Sequence, residues 1–345
     1  MIQKDFREIS EEEIGDFLAK RNIKKFRIKQ INEWIWKKGF NSFEEMTSLS
    51  SNLRKSLAKN FIFHAIKIDK EVKSNDGTIK YSFRLHDNEL IEGVLIPSRN
   101  RITACISSQV GCSLDCSFCA TGTLKLKRNL KYYEIFEHTF KLNSLSIKHF
   151  SKPISNIVFM GMGEPLLNYN NVLMSIEKIT SKIGMGMSAK RITLSTAGIS
   201  KMIKKLADDK IKFNLAISLH SGIDDSRSQI MSINNSNNLL SLKESILYFY
   251  QKTSIRITYE YILLKGINDN LAHAKKLANL CKLSPCKVNL IEYNPIDSSE
   301  YRSSNHNTTK KFIEFLEEKN IIVNLRRSRG KDIDAACGQL VNKTT

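Results

Sequence analysis

Gly111-Cys112-Ser113-Leu114-Asp115-Cys116-Ser117-Phe118-Cys119-Ala120-Thr121-Gly122 places three cysteines within eight residues, spaced C-x3-C-x2-C. Thiolate is a soft ligand that suits iron–sulfur clusters, zinc and Cu(I). A four-iron cubane normally takes four cysteine ligands. Three in one tight loop leave one iron open to bind and activate a small molecule, so the spacing points to catalysis rather than to a structural site. Zinc is the alternative. It needs a fourth ligand, and the nearest candidate is Cys105, seven residues before Cys112.

Working outward, the hydrophobic period changes on each side of this loop. Residues 105–345 alternate strand and helix. Apolar, β-rich runs at 157–160, 191–195, 213–218, 255–263, 287–291 and 321–325 are separated by helical stretches such as 132–145, 172–182, 239–252 and 272–280. Alternating βα units imply a parallel sheet with right-handed crossovers. Six units predict an α/β fold, a partial (β/α)6 barrel, in which chemistry gathers at the C-terminal ends of the strands. Gly161-Met162-Gly163-Glu164-Pro165 falls at such an end. Its glycines let backbone approach a ligand, and Glu164 can accept from an ammonium group. Ser195-Thr196-Ala197-Gly198 and Ser218-Leu219-His220 end the next two strands, and their hydroxyls and imidazole suit ribose or carboxylate. His220 alone is more often a structural histidine. Asn294, after a later strand, offers both a donor and an acceptor to an adenine edge.

Upstream, residues 1–60 have the period of a small helical domain. Ser10-Glu11-Glu12-Glu13 is a capping box, and Ile14, Phe17 and Leu18 follow on one face. A second helix is predicted over 27–38, with Gly39 as its stop. Lys20, Arg21, Lys24, Lys25, Arg27 and Lys29 crowd an interval with no acidic residue, which suits RNA phosphates. The nearby Trp34 and Trp36 are better explained as core. Residues 61–104 change to period two and predict a short β extension before the barrel. Its strands fall at 65–72, 81–85, 90–96 and, running into the core segment, 101–107, with Asn75-Asp76-Gly77 as a turn. Leu90, Glu92, Val94 and Ile96 share one face. Glu92 is there either a general base or an acid at a strand edge beside a lysine, and the residues alone favour the edge.

The tail Arg326-Arg327-Ser328-Arg329-Gly330-Lys331 leads to Cys337 between small residues. Nearby positive charge lowers a thiol pKa, which makes Cys337 a reactive-thiol candidate; an inert small hydrophobe is the alternative. Cys281 and Cys286 have no ligand-like neighbours in sequence and are expected to be structural. The 345-residue chain carries a formal charge of +19. Attraction to a polyanion is one reading; drift in a Lys-, Asn- and Ile-rich chain is the other. No run of 18 apolar residues is present, so no membrane span is expected. Met1-Ile2-Gln3-Lys4 opens no apolar export segment, and seven cysteines is an odd count for a disulfide framework. Both point to a cytoplasmic protein in a reducing compartment.

The cysteine loop with Phe118 before its last cysteine resembles the radical S-adenosylmethionine superfamily. Gln109 to Gly122, Gly161 to Asn168, Leu194 to Gly198, Ile217 to His220, Glu292 to Pro295 and Arg326 to Leu340 together resemble the RlmN/Cfr family of RNA methyltransferases. The resemblance implies a radical-SAM barrel with a [4Fe–4S] cluster on Cys112, Cys116 and Cys119. It implies S-adenosylmethionine, two per turnover, held by Gly163, Glu164, Ser195, Ser218, Leu219, His220 and Asn294. It also implies a methyl carried on Cys337, a disulfide-forming release by Cys105 and a proton acceptor at Glu92. The implied reaction is methylation of adenosine C2 in large-subunit rRNA and 3′ of the anticodon in tRNA. The implied protein is a monomer served by an electron donor such as flavodoxin with its reductase. Methylation at C8, as in Cfr-type enzymes, uses the same parts and stays open, as does a zinc-stabilised RNA-binding protein.

Overall fold

A computed structural model describes residues 4–341. Met1, Ile2 and Gln3, part of the segment assessed for export, lie outside the described residues. Three helices come first: α1 (Glu11–Ala19), α2 (Phe26–Asn32) and α3 (Ser51–Asn60). The capping box of α1 forms as expected. Ser10 Oγ accepts from Glu13 N at 3.1 Å, and Glu13 Oε2 accepts from Ser10 N at 2.8 Å. The helix expected over 27–38 instead widens into a π turn over Glu33–Lys37. The wider turn brings the adjacent Ile35 and Trp36 both into the core.

Ten strands make one sheet in the order β1-β2-β3-β4-β7-β8-β9-β10-β11-β12. They are β1 (Lys67–Lys73), β2 (Ile79–Arg84), β3 (Leu90–Ser98), β4 (Arg101–Cys105), β7 (Asn156–Phe159), β8 (Ile192–Thr196), β9 (Asn214–Ser218), β10 (Ile257–Leu263), β11 (Cys286–Glu292) and β12 (Val323–Arg326). The remaining two, β5 (Gln109–Val110) and β6 (Arg128–Asn129), form a small ribbon flanking the cysteine loop. The first four strands of the sheet pair antiparallel, and every neighbour from β4 onward is parallel. The parallel set therefore has seven strands rather than six. The additional one is β4, which pairs antiparallel with β3 on one edge and parallel with β7 on the other, Cys105 opposite Val158. Period-two alternation shows that a segment is a strand but not which way its neighbours run.

Helices α4 (Tyr132–Phe150), α5 (Tyr169–Thr180), α6 (Ser200–Asp208), α7 (Asp224–Ile230), α8 (Leu239–Thr253), α9 (Leu271–Cys281) and α10 (His306–Glu317) complete the chain. Among the described residues no helix is long and apolar enough to cross a membrane. One apolar core runs from Phe6 and Ile14 of the helical region through Ile91 to Leu290 and Leu316. A buried ion network ties that region to α4. Arg7 Nη1 bonds Glu137 Oε2 at 2.7 Å, and its other nitrogens bond Asp5 at 2.8 and 2.9 Å. Glu137 Oε1 accepts from Ile66 N and Asn41 Nδ2, both at 2.9 Å. The pairing is buried, so its satisfied hydrogen bonds matter more than its charges, and removing one partner strands the other. Trp36 joins the same contact by packing against Tyr132 and Phe136, which accounts for it as core.

Candidate active site

At the C-terminal ends of the parallel strands lies a cleft of about 920 Å³, its open mouth included. Cys112, Cys116 and Cys119 all line it. Their loop is held by main-chain bonds. Cys119 N donates to Cys116 O at 3.0 Å, Gly122 N to Cys119 O at 3.0 Å, and Ser117 N to Ile230 O at 3.1 Å. Gly122 is required because a Cβ would lie 2.8 Å from Cys116 O. Burial pushes all three thiols up, Cys112 to about 11. A cation must displace those protons before the sulfurs can act as thiolates.

Glu164 reaches the same cleft from the loop after β7 and is buried. Burial raises its pKa, opposed by the N–H groups of Leu166 and Ala197, which its two oxygens accept at 3.0 and 2.7 Å. The Thr196 hydroxyl is a third donor to it, and a carboxylate with room for about four leaves an acceptor position for a further donor such as an ammonium. Gly163 has φ +94°, and a Cβ there would lie 2.4 Å from Gln109 Cβ. Ser195 and Ser218 line the cleft with their hydroxyls 3.5 Å apart. His220 is buried, pushed down to about 3 by burial and by Arg227, and its Nδ1 accepts from Ile262 N at 3.1 Å. Its ring meets the edge of Phe118 at 4.7 Å between centroids. The aromatic of the cysteine loop thus packs on the histidine of β9's end.

Cys337 also lines the cleft. Arg326 Nη2 points at its sulfur at 3.8 Å, while Arg326 Nη1 donates to Glu260 Oε2 at 3.0 Å. Cys337 O accepts from Asn294 Nδ2 at 3.3 Å, and Asn294 Oδ1 is buried with no partner. Cys105 does not line the cleft. It is buried behind it with Val94, Met162, Ala335 and Leu340. Burial, and after it the neighbouring Cys337, pushes its thiol up to about 12. All seven cysteines are free thiols. Glu92 is buried beneath the tail, with Oε2 accepting from Val341 N at 2.9 Å and Oε1 3.5 Å from Lys80 Nζ.

Two sequence-profile matches cover most of the chain. One, described as the ribosomal RNA large subunit methyltransferase N-terminal domain, spans residues 4–63. The other, the radical SAM superfamily, spans residues 106–278. The probable dual-specificity RNA methyltransferase RlmN of Flavobacterium johnsoniae is 52% identical over 341 residues, covering 99% of this chain and 98% of that one. The chain belongs to the RlmN family of dual-specificity RNA methyltransferases. The dual-specificity RNA methyltransferase RlmN of Buchnera aphidicola is 45% identical over 334 residues, 94% of this chain and 92% of its own. The crystal structure of a radical SAM methyltransferase from Sphaerobacter thermophilus superposes with a TM-score of 0.91 at 35% identity, over 98% of this chain and 99% of that one. The protein is thus a radical SAM RNA methyltransferase with the α/β fold of that superfamily.

Membership in the RlmN family implies a [4Fe–4S] cluster and S-adenosylmethionine, and the residues fit both. The donor set is three thiols of one loop opening into one cleft. Cys105, the candidate fourth zinc ligand, sits in a separate buried cluster. After burial, the nearby Cys119 and Cys112 each raise the Cys116 thiol pKa, so the three sulfurs share one part of the cleft, as ligands of one cluster would. The unpartnered Asn294 Oδ1 is an acceptor left for a ligand. Of the residues the resemblance assigned, Gly163, Glu164, Ser195, Ser218 and His220 converge on the cleft. Leu219 does not: its side chain lies in the apolar core, its N donates to Glu260 O and its O accepts from Arg227. Asn294 approaches only through Cys337.

Sequence reasoning missed Arg227 and Glu260, and named Arg326 only as one charge of the basic tail near Cys337. Arg227 is wholly buried and donates to the carbonyls of Ala197, Leu219 and Ser218, tying together the loops after β8 and β9. Nothing in its local sequence signals this. Glu260 and Arg326 form an ion pair in the cleft wall. A carboxylate within the apolar run of β10 and an arginine ending β12 were the available signals.

Proposed function

We propose that this enzyme methylates C2 of adenosine in large-subunit rRNA and of the adenosine 3′ of the anticodon in tRNA. Cys337 is the methyl carrier, Cys105 the thiol that frees the product, and Glu92 the proton acceptor. The observation that carries this is the placement of Cys337 in the same cleft as the three loop cysteines. C2 of adenine is an sp² carbon without a nucleophilic lone pair, so the hard step belongs to a cofactor. When bound, the cluster and S-adenosylmethionine supply an electron and a radical able to remove hydrogen from a methyl group. A flavodoxin-class donor fits the one-electron demand.

The chain's own residues do the rest. Cys337 takes its methyl from one S-adenosylmethionine and a second serves the radical step, so two are used per turnover. Displacement needs a sulfur nucleophile, and the guanidinium of Arg326 faces that sulfur. After the carbon on Cys337 bonds to C2, the adduct gives its C2 proton to Glu92 and its unpaired electron back to the site's one-electron carrier, which a bound cluster would be, leaving a closed-shell thioether. Cys105 then attacks the sulfur of Cys337. The S–S bond forms as the S–C bond breaks, its electron pair leaves with carbon, and a proton completes the methyl group. Gly163, Glu164, Ser195, Ser218, His220 and Asn294 hold S-adenosylmethionine; Leu219, whose side chain and backbone are committed to Glu260, Arg227 and the core, does not.

The test is an anaerobic assay with labelled S-adenosylmethionine on rRNA and tRNA, followed by nucleoside mass mapping. Methyl on C2 in both RNAs, absent with Cys337→Ala, is the expected result. Methyl on C8 overturns the regiochemistry. Iron-free protein holding one zinc overturns the reaction.

A further inference from the structure

Residues 327–341, which carry Cys337, do not rest on the barrel alone. They cross the turn between β1 and β2. Asp76 Oδ2 accepts from Gly330 N at 3.0 Å and lies 3.8 Å from Arg329 Nη1. Asp332 Oδ1 accepts from Ser74 Oγ at 2.6 Å, and its Oδ2 from Asn75 N at 3.1 Å. One strand further in, Lys80 Nζ donates to Asp334 O at 3.1 Å. The turn is itself braced: Asp76 Oδ1 accepts from Thr78 N at 2.9 Å, and Asp76 N donates to Ser74 Oγ at 3.2 Å. Burial works against the Asp76 charge, but bonds from Thr78 and Gly330 outweigh it and hold the acid down to about 2.

Beyond Cys337 the tail is fastened to the cysteine loop. Ala120 N donates to Gly338 O at 2.6 Å, and Thr121 Oγ1 to Leu340 O at 2.6 Å. Cys337 therefore spans two anchors. The chain bends at each, with positive φ at Gly330 (+66°), Asp334 (+52°) and Gly338 (+82°). At Gly330 a Cβ would lie 2.8 Å from Ala335 Cβ and 3.0 Å from Thr78 Cγ2, so turn and tail are in tight contact.

We propose that the β1–β2 turn is a clasp that positions the Cys337 tail over the cleft, with Ser74, Asp76 and Asp332 as positioning residues for methyl transfer. This rests on Cys337 as the methyl carrier. The physical reason is preorganisation. A sulfur on a free tail must be brought into register at each transfer, and a misplacement of about 1 Å costs on the order of 10²-fold in rate. The β extension then has two tasks on adjacent hairpins: β3 supplies Glu92, and the β1–β2 turn holds the sulfur's tail.

The experiment uses the full chain with its cluster reconstituted and compares Ser74→Ala, Asp332→Ala, the double variant, Asp332→Asn and Cys337→Ala. Asp332→Ala is expected to lower kcat roughly tenfold or more, with KM for RNA and iron content unchanged. Hydrogen exchange across residues 328–341 is expected to quicken, while β7 to β11 keep their protection. Asp332→Asn keeps an acceptor and should recover part of the rate. The double variant should be little worse than Asp332→Ala, which already removes the Ser74 bond along with that from Asn75. Wild-type kcat and exchange in Asp332→Ala would overturn the clasp, as would a kcat loss matched by an equal loss of iron. Full turnover by Cys337→Ala would instead overturn the carrier assignment, while the exchange data would still report on the clasp.

Discussion

The loop with Cys112, Cys116 and Cys119 and the tail with Cys337 meet in one cleft but are held by opposite means. The loop is turned on itself by main-chain bonds spanning three residues, with Ser117 N reaching out to Ile230 O. The tail is fixed by side chains more than 250 positions away in sequence, Ser74 and Asp76 on one turn. A local device can be seen in a short motif, whereas a long-range one exists only after folding. The two should also fail differently: damage to the loop removes the metal, and damage around the tail leaves the metal and removes the transfer.

The sharpest break concerns the loop. Cys116→Ala is expected to abolish stable iron binding and the visible absorbance of anaerobically reconstituted protein, while Cys281→Ala keeps both. Full iron retention in Cys116→Ala would remove the loop from the metal site. Next in size is the tail. Cys337→Ala should bind iron normally yet make no methylated RNA. Cys105→Ala should trap RNA on Cys337, visible as a nuclease-sensitive shifted band on a denaturing gel. The double variant should behave as Cys337→Ala, since the two thiols act in series. An adduct persisting in the double variant would mean that another residue carries the carbon.

The same contrast sets what the sequence could show. The loop cysteines, Glu164 and the serines ending β8 and β9 were legible because each lies in a short pattern at a strand end. The α/β alternation was legible because its period changes. Glu92 and Cys105 were not legible from their own neighbourhoods. Glu92 does lie beside a lysine, as the strand-edge reading held, yet it is buried and bonded to Val341. Cys105 looked like a spare ligand and instead packs among Val94, Met162, Ala335 and Leu340. Family resemblance, rather than spacing, singled both out. Arg227 was hidden for the same physical reason: its partners are carbonyls of loops that only the barrel brings together. The seventh parallel strand was hidden because pairing direction leaves no mark on hydrophobic alternation.

A smaller effect separates positioning of the cofactor loop from binding of the metal. Gly163→Ala adds a Cβ 2.4 Å from Gln109 Cβ at φ +94°. Strain of this kind costs about 1–3 kcal/mol, and Gln109 Oε1 is the acceptor for Glu164 N. The expected outcome is a lower Tm and weaker S-adenosylmethionine binding by calorimetry, with iron content retained. Unchanged affinity would show that the Glu164 loop does not grip the cofactor.

The smallest effect asks whether a third region, the basic interval of the helical domain, acts locally or only through net charge. Lys24 and Lys25 are exposed, and neither enters an ion pair among the described residues. Arg27 is partly committed, its Nη1 bonding Gln30 Oε1 at 2.6 Å and Ser48 O at 3.2 Å. Each phosphate contact contributes about −0.7 to the slope of log K against log salt on single-stranded RNA. Losing Lys24, Lys25 and Arg27 together should therefore flatten the slope by roughly 1 to 2, nearer the lower figure because Arg27 is engaged. The comparison that decides it removes the same charge elsewhere. Lys275, Lys276 and Lys282 are exposed on or just after α9. If the helical domain docks RNA, the first triple variant flattens the slope and the α9 triple leaves it nearly unchanged. Equal flattening by both would mean that the +19 charge attracts RNA as a diffuse field. No flattening by either would leave the excess lysine as sequence drift.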